Sequence, residues 1–73
     1  MERDYTVIIE KDEDGFYVAS VSELPGCHTQ ATTIDELIDR IREAIELYLE
    51  VESEEDFPKL NFIGIQRVRV EIS

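Results

Sequence analysis

An α+β fold, with one helix packed on a small antiparallel-rich sheet, is predicted by three observations. Two short runs rich in β-branched and aromatic residues, "YTVIIE" and "FYVASV", flank the turn-forming "KDEDG". A stripe of apolar side chains recurs at three- and four-residue spacing between residues 34 and 48. A closing run, "FIGIQRVRVEI", alternates apolar and charged residues. Period two marks strands and period 3.6 marks an amphipathic helix, so the order is strand, strand, short strand, helix, strand.

Each element has its own local reason. Residues 5–21 read as a β-hairpin, because Gly15 in "DEDG" tolerates the positive φ that a tight reversal demands. In "ELPGC", Pro25 presets φ for the second turn position and Gly26 suits the third, which predicts a type II turn. "CHTQA" is long enough for a short third strand only. Thr33 then caps a helix, with Glu36 placed three residues on for a capping box. Ile34, Leu37, Ile38, Ile41, Ile45 and Tyr48 form the apolar stripe, and the helix should fade around Val51 to Ser53. Leu47 falls on the polar side. In the last run Val68, Val70 and Ile72 share one face, with Arg67, Arg69 and Glu71 on the other.

Length and composition set bounds. The 73 residues make a single domain spanning 1–73, near the lower size limit for folding alone. One cysteine excludes an internal disulfide, so self-association is the expected extra source of stability. No apolar run reaches membrane-spanning length and the N-terminus lacks a signal-peptide core, so a cytoplasmic protein is expected. Eighteen acids against seven bases give a formal net charge of -11. Direct binding to a nucleic-acid backbone needs cations, so it is not expected of this chain alone. A basic protein partner suits the charge better.

No catalytic or metal-binding set is expected. Cys27 and His28 are the only residues of their types, and neighbours on a strand point to opposite faces, so they cannot act as nucleophile and base. Two ligands are also too few for structural zinc. Asp12, Glu13 and Asp14 sit in a hairpin turn where solvated acids are ordinary. Asp35, Asp39 and Glu43 line a polar helix face beside Arg40 and Arg42. A metal-dependent nuclease using Asp12, Asp14, Asp35 or Asp39 is the alternative from a different class, with a small interaction or ligand-binding module as a third. No cofactor is implied. The run from Glu43 to Asp56 is more suggestive, with seven acids and no base. Acids near a helix C-terminus oppose the helix dipole, so helix stability does not account for them.

The stretch "DGFYVASVSELPGCHTQATTIDELIDRIREAIELYL" resembles the HicB-like antitoxins, small proteins paired with HicA-type ribonuclease toxins. The shared pattern is Asp14-Gly15-Phe16 closing a hairpin, Leu24-Pro25-Gly26-Cys27 as a turn, and Thr33 to Glu36 as a helix start. The order and spacing carry the likeness. Family members usually have Gly-Asp before the helix threonine, where this chain has Ala31-Thr32. The resemblance implies a β-β-β-α-β unit, similar to a truncated ribonuclease H fold without its catalytic carboxylates. It also implies a non-enzymatic antitoxin that neutralises a small basic toxin by covering its active site. Many such antitoxins continue into a DNA-binding segment, whereas this chain stops at Ser73 after a strand, so no separate DNA-binding domain is expected. Glu43, Glu46, Glu50, Glu54 and Glu55 are the candidate toxin-binding residues. Arg67, Val68, Arg69, Val70 and Ile72 are the candidates for self-association as a homodimer or tetramer, together with the sheet face that the helix leaves bare. Apolar residues of both parities, Ile8 against Val7 and Ile9 and Val18 against Val21, predict that the bare face is apolar too.

Overall fold

The computed structural model describes residues 2–51 and 60–72. Three strands come first, β1 (Val7–Lys11), β2 (Tyr17–Val21) and β3 (His28–Ala31), followed by one helix, α1 (Ile34–Val51). The strands form an antiparallel sheet in the order β1-β2-β3. This is the α+β arrangement that the periodicities predict.

The β1–β2 turn is built by Asp12. Its carboxylate accepts from the Asp14 N–H at 3.0 Å and the Phe16 N–H at 2.9 Å, while Gly15 takes φ 89°. The β2–β3 connection is the expected Pro-Gly turn: the Cys27 N–H donates to the Leu24 carbonyl at 3.0 Å, and Gly26 has φ 84°. At the helix start the Glu36 N–H donates to Thr33 Oγ1 at 3.2 Å, satisfying one of the amides that a first turn leaves open. The Glu36 carboxylate accepts from the Thr32 hydroxyl at 3.4 Å and meets Arg40 at 2.6 Å.

Register decides which residues meet the helix. Val7, Ile9 and Lys11 pair with Val21, Ala19 and Tyr17, and Ala31 and Thr29 pair with Tyr17 and Ala19, so these residues share one face. Ala19, Val21 and Ala31 are buried there against Leu37 and Ile41, with Leu24 and Cys27 closing the core from the turn. Burial of each leucine or isoleucine is worth ~1.5–3 kcal/mol. The helix lies over β3 and β2 rather than over β1. That offset tilts the apolar stripe: Ile34 remains 41% exposed, while Ala44 and Leu49 join Ile45 and Tyr48 against the core. Two side-chain bonds fix the offset. Arg40 donates to the Gln30 carbonyl at 2.9 Å, and the Tyr48 hydroxyl donates to the Pro25 carbonyl at 3.0 Å.

Two expectations change in the folded chain. Residues 62–72, expected to close the unit as a strand, pair with no strand among the described residues, and Val68, Val70 and Ile72 are exposed. A run with strand periodicity becomes a strand only when another backbone supplies its hydrogen bonds, and here it stands clear of its own sheet. The radius of gyration, 14.3 Å, exceeds the roughly 11 Å of a compact chain this long. The bare face of the sheet is also less apolar than expected. Ile8 and Val18 share it with Glu10, Ser20, His28 and Gln30, because both residues of β3 on that side are polar.

Candidate interaction surface

Glu43, Glu46 and Glu50 all lie on α1 and are exposed. Their spacing of three and four residues puts them along one side of the helix as a carboxylate ridge. Glu54 and Glu55, the other two candidates, lie outside the described residues. The last turn of α1 holds no basic residue, so the helix dipole and the ridge add up to one negative region. Upstream, Arg42 approaches Asp39 at 3.8 Å and Arg40 meets Glu36, which pairs those acids with cations. The unpaired charge is therefore concentrated toward the helix C-terminal half.

Beside this ridge runs an apolar groove of about 380 Å³. It exists because α1 is displaced toward β3 and leaves the helix side of β1 partly uncovered. Tyr5 and Val7 form its sheet wall, Ile38, Ile41 and Ile45 its helix wall, and Asp4, Arg3, Arg42 and Glu46 its rim. Ile9, next on the same face of β1, is 41% exposed. Sequence periodicity marks these residues as apolar without revealing that they border an opening.

The self-association candidates, Arg67, Val68, Arg69, Val70 and Ile72, are all exposed in the segment that leaves the sheet. Val68 is 76% exposed and Val70 71%, far above what a partnered strand shows.

The chemical candidates are placed as follows. Cys27 is buried in the core and burial pushes its thiol pKa up, which removes the thiolate a nucleophile needs. His28 begins β3 on the opposite face and is exposed. The Asp12 carboxylate is occupied by the hairpin turn it organises. No cluster of three or more His, Cys, Asp or Glu side chains suited to a metal ion occurs among the described residues. In those residues, too, no helix is long and apolar enough to cross a membrane.

One carboxylate has a role that sequence reasoning missed. Burial would raise the pKa of Glu23, but hydrogen bonds from Thr6 hold it below its ordinary value, with the Thr6 N–H at 2.8 Å from Oε1. This bond ties the start of β1 to the segment after β2. Glu23 and Thr6 are seventeen residues apart, and nothing in their local patterns links them.

Fold and site together define a small acidic α+β unit whose outward features are a carboxylate ridge, an apolar groove and an unpaired strand-like segment. The sequence family described as "HicB_like antitoxin of bacterial toxin-antitoxin system" matches residues 5–72. A UPF0150 protein of Archaeoglobus fulgidus is 56% identical over 66 residues, covering 90% of this chain and 93% of its own length. A UPF0150 protein of Synechocystis is 48% identical over 69 residues, covering 94% and 97%. One from Thermotoga maritima is 34% identical over 68 residues, covering 92% and 89%. The chain belongs to the HicB-like antitoxin family.

Proposed function

We propose that this protein neutralises a small, basic HicA-type ribonuclease toxin by binding over its active site, with the carboxylate ridge of α1 as the contacting surface. The family match over residues 5–72 carries the reading, since it makes a toxin the general kind of partner. The ridge supplies the physical complement. Successive members of the ridge, Glu43 to Glu46 and Glu46 to Glu50, lie within about a Debye length of each other, so their fields add and steer a cationic surface into contact. A surface that binds RNA must itself be cationic, and an acidic helix can occupy it in RNA's place. Glu54 and Glu55 extend the same negative charge in sequence. The protein works in the cytoplasm as a homodimer or tetramer, without enzymatic activity and without contacting nucleic acid directly.

Co-expression with the product of the adjacent gene is the test. A small basic ribonuclease that arrests growth alone, and is silenced by this chain, is the expected outcome. A neighbour that is neither basic nor bound defeats the reading. Replacing Glu43, Glu46 and Glu50 together by lysine should slow association at least tenfold at low salt and flatten its salt dependence. Unchanged kinetics would place the contact elsewhere.

A further inference from the structure

The groove beside β1 and the segment 60–72 are complementary halves of one unfinished sheet. β1 is an edge strand, and its helix-side residues Tyr5 and Val7 open into the groove with Ile38, Ile41 and Ile45 opposite. An apolar trough along a free strand edge is completed by one more strand whose apolar side chains all point one way. Residues 66–72 have that pattern: Val68, Val70 and Ile72 on one parity, Arg67, Arg69 and Glu71 on the other. Paired on β1, such a strand buries its valines under α1 and turns its arginines to the bare face, where Glu10 lies.

We infer that the occupant is the segment of a second copy, exchanged reciprocally so that each chain fills its partner's groove. Three observations favour this. In the single chain the segment stands off its own sheet, leaving Val68, Val70 and Ile72 71–92% exposed, and the molecule reaches 47 Å along its longest axis. The exposed surface is 6404 Å², against about 4,700 Å² for a compact chain of this length. Two chains that each hide such a surplus bury more than the roughly 1,200 Å² a specific interface requires. Charge is complementary as well. Among residues 2–51 acids outnumber bases by thirteen to four, whereas in residues 60–72 Arg67 and Arg69 outnumber Glu71. A reciprocal insertion is isologous and closes on a two-fold axis, which protects both free edges at once.

The inference rests on the self-association proposed above and gives it a mechanism. Complementation between two broken full-length chains tests it. Val70→Asp spoils the inserted strand and Ile38→Asp spoils the groove, so each alone should sediment at the mass of a single chain at micromolar concentration. Mixed, the intact segment of the Ile38→Asp chain can enter the intact groove of the Val70→Asp chain, and two-chain mass should return. Far-UV circular dichroism confirms that each variant keeps its helix; if Val70→Asp does not, Ile72→Asp takes its place. A dimer indifferent to Val70→Asp leaves self-association standing and overturns exchange. A mixture that stays monomeric also overturns exchange. A monomeric wild-type chain, including one whose segment folds onto its own groove, overturns both.

Discussion

Val21 and Val70 are the same residue in the same kind of alternating run, yet Val21 is 4% exposed and Val70 is 71% exposed. The difference lies in what surrounds each run. Val21 belongs to β2, a central strand with β1 and β3 hydrogen-bonded on either side and α1 above. Residues 60–72 have comparable composition and no neighbouring backbone within the described chain. Pattern thus fixes which side of a strand is apolar, while neighbours fix whether there is a strand at all.

The largest effect expected on this contrast is in the body. Leu37 is fully buried, so Leu37→Ala should cost about 2–5 kcal/mol in urea unfolding, enough to threaten a domain this small. Glu23→Gln comes next. The bond from the Thr6 N–H to a carboxylate should be worth about 1.5–3 kcal/mol at neutral pH. Because the folded pKa of Glu23 is lowered, the charged form favours the native state. That stabilisation is fully present above the ordinary carboxylate pKa and disappears as pH falls through the lowered value. The urea midpoint of wild type should therefore drop on acidification from neutral pH by more than that of the Gln variant. Equal slopes would show that the bond does not depend on the carboxylate charge. Thr33→Ala removes a helix cap and should cost about 1 kcal/mol, while Thr33→Ser should cost much less. The smallest effect is at Ile65, 73% exposed. Ile65→Ala should shift unfolding of dilute protein by no more than about 0.5 kcal/mol. A larger loss would mean that the segment packs on something even in dilute solution.

Local features were the ones legible in the sequence. The Asp12–Gly15 turn, the Leu24–Cys27 turn and the Thr33 cap each depend on residues within four positions of one another, and all three formed as their residue types require. Leu37 and Ile41 could be assigned to the core because helical period alone aligns them. Features that depend on distant pairing were not legible. The offset of α1 over β3 is set by Arg40 reaching Gln30 and Tyr48 reaching Pro25, and neither contact has a local signature. That offset exposes Ile34, brings Leu49 inward and opens the groove. The last run was legible in parity but not in partner, since alternation states what a strand would bury and not against what. Of the candidate interaction residues, Glu43, Glu46 and Glu50 could be placed on one helix side from spacing alone. Their clustering into a net negative region depended on Arg40 and Arg42 being drawn toward Glu36 and Asp39.

Cys27 gives the molecule a built-in clock. It is the sole thiol in the chain, lies 5% exposed in the core, and is held protonated by its burial. A thiol reagent can reach it only when the turn from Leu24 to Cys27 separates from α1, so the labelling rate measures how often that corner opens. The wild-type sequence, with no engineered cysteine, then reports its own openings to the reagent. A partner that seals the corner will stop the clock, and one that grips only the helix ridge will leave it running at the same pace.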